Sequence, residues 1–311
     1  MVASDALFKL IKSLTKQEKI NFKSFSQGDN KKHVRLFDAI AKQGKYDEEK
    51  IKQQFKNEPF VKQLPVIKNY LYKIIIKSLC NFRDSKDSRE LMLKQMLYEI
   101  QILYNKTLYN TCQKIIAKAK KMAEETEQFV MLCELLDWER KVFLAYEENL
   151  TNRKKLQAIS LAHLTALEKQ RNVVMFREIY EHFFIVATQT RSIRDTQKIK
   201  SLRKAMRHRL LSHPEKALTF RSKMTFYMTY CLYHNLIGNN QQAYEQYKNL
   251  VTLFELKENH IHIKTYKQFY YDALCGLNAE EAILGKEDEF NSTFRKLCIF
   301  LERIPELKQY N

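Results

Sequence analysis

The stretch that decides the fold is Arg221–Leu256, RSKMTFYMTYCLYHNLIGNNQQAYEQYKNLVTLFEL. Its first half carries an aromatic stripe at Phe226, Tyr227, Tyr230 and Tyr233. Its second half places Ala243, Tyr247, Leu250, Val251 and Phe254 at three- and four-residue steps, the spacing of one helix face. Between them Gly238-Asn239-Asn240 interrupts both patterns. The reading is two antiparallel helices joined by a tight turn. Such a unit cannot bury its apolar face alone and needs neighbours on either side.

The flanking sequence supplies them. Helical patterns pair as 89–105 with 108–124, 126–148 with 151–170, 172–190 with 193–211, 215–237 with 240–256, and 260–284 with 287–303. First helices therefore start at a period of about forty residues, the signature of a helical-repeat solenoid. Loops such as 148–152 and Ser212-His213-Pro214 join them. The expected fold is all-α: an α-solenoid of about five antiparallel helical hairpins over 89–311, preceded by a small basic helical region over 1–83. In that region Thr15-Lys16-Gln17-Glu18 spells a capping box, 28–30 reads as a turn, and Asp47 is placed to cap a short helix. Pro65 sits in the first turn of a longer helix through Phe82, where its missing N–H costs nothing. The polar run 84–88 separates the two regions.

The hairpin resembles the tetratricopeptide repeat. At the positions where that family places large residues, then a small one, the chain has Tyr227, Tyr230, Cys231 and His234, followed by Ala243, Tyr247 and Glu255. His234 and Glu255 depart from the usual Tyr and Pro, and the last hairpin has Phe290 where the family has Ala. The array is thus similar to a degenerate tetratricopeptide-like array. The resemblance implies a protein or peptide partner bound on a concave surface lined by first helices, with Thr225, Met228, Leu232 and Asn235 facing that groove. The family's clamp for a peptide carboxylate uses Lys and Asn at such positions. Met228 and Leu232 do not match it, so that activity is not carried over. In layout and size alone the chain also resembles bacterial peptide-sensing regulators.

Composition agrees with an all-α chain. Only 5 Gly and 4 Pro punctuate 311 residues, too few for the turns that sheets require. Six cysteines are scattered singly without a CxxC pair, which reads as reduced core thiols in a cytoplasmic protein. The amino terminus has no basic leader, and no apolar run reaches membrane-spanning length, so no membrane is expected. The net charge of +18 is localised. Residues 1–83 hold 18 Lys/Arg against 8 Asp/Glu, residues 191–223 hold 11 against 2, and the remainder holds 25 against 26. Two basic foci on an otherwise neutral chain favour polyanions or acidic partners. An AT-rich genome produces the same lysine enrichment.

No motif for catalysis or a cofactor is present. The few glycines lie too far apart for a phosphate cradle, and the one Glu-x-x-x-His text, Glu178 with His182, leads into an apolar run suited to a partly buried histidine. His260 and His262 point about 200° apart on a helix, and Cys231 lies one turn from His234 with no third group to orient a base. In the helix after 191, Ile199, Leu202, Met206 and Leu210 share one face, while Lys200, Arg203, Lys204 and Arg207 cluster away from it. That cluster reads either as a contact strip for a phosphate backbone or an acidic partner, or as a solvated outer face. Lys68, Asn69, Lys73 and Lys77 are the residues a helix-turn-helix reading of the amino-terminal region would use. Tyr227, Tyr230, Tyr233, Tyr266, Tyr270 and Tyr271 suit packing between helices better than base stacking. The sequence thus predicts a non-enzymatic, cofactor-free scaffold that binds protein or peptide. The alternative is a nucleic-acid-binding regulator using 1–83 and 191–223.

Overall fold

The computed structural model describes residues 4–26, 31–82, 89–145, 152–189 and 196–304. The turn expected at 28–30, the break at 84–88 and most of the loop at 148–152 lie outside them. The chain divides into two compact units, 1–88 and 89–311. Among the described residues all regular structure is helical.

The first unit comprises α1 (Ser4–Ser13), α2 (Lys16–Phe25), α3 (Lys31–Lys42), α4 (Glu48–Gln54), a 3-10 turn at Pro59–Gln63, and α5 (Leu64–Phe82). Thr15 forms the reciprocal capping box with Glu18, and the Asp47 side chain accepts from Lys50 N. The apolar faces of these helices converge on Leu7, Ile11, Phe22, Leu36, Phe37, Ile40, Ile51, Leu71 and Ile75, each almost fully buried. Lys68, on the inward side of α5, is 6% exposed, and its Nζ lies 2.6 Å from Glu48 Oε2. The same ammonium donates to Tyr46 Oη at 3.3 Å. Its bond lowers the Glu48 carboxyl below the ordinary value. Lys68 is a structural cation tying α5 to α4, and is withdrawn from any DNA contact. Lys73 and Lys77 are exposed and Asn69 is half-buried.

The second unit runs α6 (Arg89–Asn105), α7 (Tyr109–Glu125), α8 (Phe129–Leu144), α9 (Arg153–Gln189), α10 (Thr196–Ala205), α11 (Phe220–Leu236), α12 (Asn240–Glu255), α13 (His260–Thr265), α14 (Lys267–Ile283) and α15 (Glu287–Arg303). Packing is sequential: α6 on α7, α7 on α8, α8 on α9, α9 on α11, α11 on α12, α12 on α14, α14 on α15. Apart from the short α10 and α13, interior helices pack against both the preceding and the following long helix, as in a helical-repeat array.

One expected boundary is absent. Where the sequence pattern gives separate helices at 151–170 and 172–190, α9 is a single helix of 37 residues, about 55 Å long. No Gly or Pro interrupts it, and Gln170-Arg171-Asn172 simply continues the helix. Its first half packs against α8 through Ile159, Ala166 and Val173, its second against α11 through Phe176 and Phe226. At the expected break, Asn172 is buried and clasps the segment before α11. Its Nδ2 donates to Lys216 O at 2.9 Å, and its Oδ1 accepts from Leu218 N at 3.1 Å.

Four interhelix turns use one device. Thr107, Glu127, Gly238 and Gly285 have φ of 58°, 53°, 70° and 68°, and in each case the next residue's N–H reaches back to a carbonyl five residues earlier. This left-handed helix stop is natural for Gly and strained for a side chain, most of all for β-branched Thr107.

Candidate functional site

α11 begins at a doubly satisfied terminus. The Thr219 hydroxyl accepts from Ser222 N at 3.0 Å. The Glu127 carboxylate, from the α7–α8 turn 93 residues away, accepts from Phe220 N and from Arg221 N, the latter at 2.9 Å. A negative group across these free N–H donors complements the helix dipole. Glu127 is itself buried, which pushes its carboxyl above the ordinary value against the opposing pull of the Arg221 and Phe220 N–H donors.

Held in this way, α11 presents Met228 and Leu232 to a cavity of about 130 Å³. Three other helices complete it: Tyr180 from α9, Tyr247 and Leu250 from α12, and Phe269, Asp272 and Ala273 from α14, with Cys231 beside Met228 and Leu232. The second half of α9 together with α11 and α14 occupies the positions expected for successive first helices, and α12 adds Tyr247 and Leu250 to the lining. Asp272 is an exposed residue of this lining. Its carboxylate accepts from Gln268 Nε2 at 2.9 Å, and desolvation raises its carboxyl from the ordinary value.

Of the four residues assigned to a groove face, Thr225 and Asn235 do other things. Thr225 Oγ1 donates to Arg221 O at 2.8 Å within its own helix. Asn235 Nδ2 donates to Tyr247 Oη at 3.0 Å, fixing the ring that forms one wall. That ring lies directly on Gly276 of α14: a Cβ there would come within 2.2 Å of it. A glycine inside a helix costs about 1 kcal/mol relative to alanine, and here it admits the close approach. The sequence reading missed Tyr180, Phe269 and Asp272. Tyr180 lies between Glu178 and His182, and Phe269 with Asp272 forms an i,i+3 pair whose only signal is one helical turn of spacing.

The remaining candidates separate by burial. Cys231 is 2% exposed, and burial raises its thiol well above the ordinary value, the opposite of an activated nucleophile. His234 is desolvated and lowered, and its ring stacks on Tyr230. His182 is exposed rather than partly buried, because its neighbour Phe183 takes the inward direction. His262 stacks on Phe220 with centroids 4.1 Å apart, and burial pushes it down to about 4. Two thiols, Cys80 and Cys298, lie on exposed faces rather than in the core. All six singled-out tyrosines pack on core clusters. Among them, Tyr230 Oη donates to Leu211 O at 2.7 Å and Tyr270 Oη donates to Glu255 Oε1 at 3.0 Å.

α10 carries the basic strip. Ile199, Leu202, Ala205 and Met206 pack toward Phe183, Leu236 and Tyr233. Lys200, Arg203 and Lys204 are exposed on the helix, and Arg207 is exposed just past its end. None of these four cations pairs with an acid among the described residues.

The fold and these sites define the class: an all-α array of consecutively packed helices. A scan against family models and searches of curated proteins and solved structures return no match. No helix among the described residues is long and apolar enough to cross a membrane.

Proposed function

We propose that this protein is a non-enzymatic, tetratricopeptide-like scaffold that binds a peptide segment of a partner protein across α9, α11 and α14. The observation that carries the reading is the cavity lined by Tyr180, Met228, Leu232 and Phe269, with Asp272 among its exposed residues. At about 130 Å³ it is well below the roughly 300–1,000 Å³ of small-molecule and cofactor sites. A dry cavity of about 150 Å³ accommodates benzene, so this one suits a single aromatic or branched aliphatic side chain. Asp272 adds a preference for Lys or Arg next to that anchor, since a cation there offsets the cost of the desolvated carboxylate. Aromatic and Met walls are what peptide anchors use.

The chemistry of the walls supports binding over catalysis. Burial holds the Cys231 thiol and the Tyr247 phenol protonated, and Tyr180 is pushed up to about 12. None of these is poised to act as base or nucleophile near neutral pH.

The test is selection from a random peptide library displayed on phage, against the full chain and against Met228→Lys/Leu232→Asp. The expected winners share one large apolar residue beside a basic one, bind the wild-type chain, and lose at least tenfold in affinity on the double variant. Charge reversal in Asp272→Lys should weaken the same peptides and favour acidic ones. Winners without a shared anchor, or binding indifferent to the cavity substitutions, would refute the reading.

A further inference from the structure

The peptide-groove reading leaves the α10 strip unexplained. Lys200, Arg203 and Lys204 follow an i, i+3, i+4 pattern and share one face of α10, and Arg207 continues that spacing in the turn just past its end, a row about 10 Å long at about 1.5 Å per residue. The opposite face of α10 is occupied by the core, through Leu202 at 3% exposure and the half-buried Ile199 and Met206. The helix therefore cannot roll over, and the cations are held outward. Elsewhere in this unit many cations are paired: Lys94 with Glu90, Lys120 with Glu139, Lys296 with Glu255. The strip is not.

Three partner classes could meet such a face, and its surroundings separate them. A protein partner needs apolar or aromatic anchors at the centre of the contact. No large apolar side chain is exposed between Ile185 and Leu218 among the described residues. A membrane surface needs an apolar face free to enter the headgroup region, and that face of α10 is already packed. Single-stranded nucleic acid is gripped by aromatic platforms on which bases stack, and the sequence from 190 to 219 contains no Phe, Tyr or Trp. What remains is a row of cations suited to phosphates alone. Phosphates along one strand of duplex DNA advance about 3.4 Å each along the axis, so a row of about 10 Å covers about three such steps, enough for one phosphate per cation.

We propose that the outer face of α10 is a duplex nucleic-acid contact surface, in which Lys200, Arg203, Lys204 and Arg207 bind backbone phosphates without reading base sequence. The contact is electrostatic, independent of sequence and strongly dependent on salt. It is independent of the peptide groove, whose residues it does not share.

The experiment is a fluorescence-anisotropy titration of the full chain against a 20-base-pair DNA duplex of arbitrary sequence, between 50 and 200 mM KCl. The wild type is compared with Lys200→Gln/Arg203→Gln/Lys204→Gln/Arg207→Gln. A charge-matched control neutralises four other exposed lysines, Lys106, Lys114, Lys118 and Lys121. At about 0.9 log units of salt slope per phosphate contact, the strip variant should lose about 3.6 from the slope of log K against log salt. Its affinity at 100 mM KCl should fall more than tenfold, whereas the control changes the slope by less than 1. Two duplexes of unrelated sequence should bind equally.

Absent binding at 50 mM KCl, equal effects of the two quadruple variants, or an unaltered strip variant would overturn the proposal. So would strip-dependent binding of polyglutamate, or of anionic phosphatidylserine vesicles, without strip-dependent duplex binding. Circular dichroism checks that the variants fold. Were the quadruple variant to unfold, the four single Gln variants carry the test, each expected to lower the slope by about 0.9.

Discussion

Replacing Glu127 by alanine should loosen a helix that begins 93 residues further along the chain. Two backbone donors, Phe220 N and Arg221 N, end on this carboxylate. Phe220 is 6% exposed and Glu127 8%, so little water can replace the lost acceptor. A buried donor left without a partner costs about 1–3 kcal/mol. Two of them, less the cost of desolvating the carboxylate in the wild type, give about 2–4 kcal/mol. With a urea slope near 3 kcal/mol per molar, the upper end for small proteins, the unfolding midpoint should drop by about 1 M. Glu127→Gly provides an internal check. It loses the same bonds but relieves the left-handed backbone at φ 53°, so it should be about 0.5–1 kcal/mol less damaging than alanine. The pH dependence has a definite sign. A carboxyl raised in the fold contributes stability that is present below the unfolded value near 4.5 and lost as pH rises through the folded value. The gap between wild type and Glu127→Ala should therefore narrow as pH rises through that window. A midpoint shift under about 0.3 M, or a gap that widens with pH, would refute the role assigned to Glu127.

Three further outcomes are expected. Gly276→Ala forces the Tyr247 ring off its seat and should cost about 1–3 kcal/mol by overpacking, read from the urea midpoint, although alanine is the better helix former. Thr107→Gly, at an exposed β-branched residue with φ 58°, should raise stability by about 0.5–1 kcal/mol, read as a higher thermal midpoint. His262 is lowered from 6.5 to about 4, so its neutral form contributes stability that is present above about pH 6.5 and lost as pH falls through about 4. His262→Phe keeps the stack on Phe220 and should flatten the urea midpoint between pH 6.5 and 4 relative to wild type.

Helix stops show how far the sequence could be read. At Gly238 and Gly285 the left-handed stop is visible, because glycine is the residue that adopts it without strain. At Thr107 and Glu127 the chain adopts the same conformation with ordinary side chains, so the residue type carries no signal. The continuous α9 was hidden for a related reason. A forty-residue period suggested a break near 171, but nothing local enforces one, and α9 satisfies two neighbours with its two halves. The cavity lining was legible only in part. The repeat resemblance names Met228 and Leu232 of α11, both of which line it, whereas Tyr180, Phe269 and Asp272 come from helices distant in the sequence.

The sequence by itself determined that this chain is helical, where most helices start and stop, and which stripe of each is apolar. These are consequences of short-range geometry: 3.6-residue periodicity, caps such as Thr15 and Asp47, and a scarcity of glycine and proline. Only the tertiary structure decided that Lys68 is spent on Glu48, that Glu127 caps α11, that Tyr247 rests on Gly276, and that Lys200, Arg203 and Lys204 meet no acid among the described residues. Each is a contact between residues whose local patterns are complete without it. A helix face records that it must be covered, but not which distant side chain will cover it.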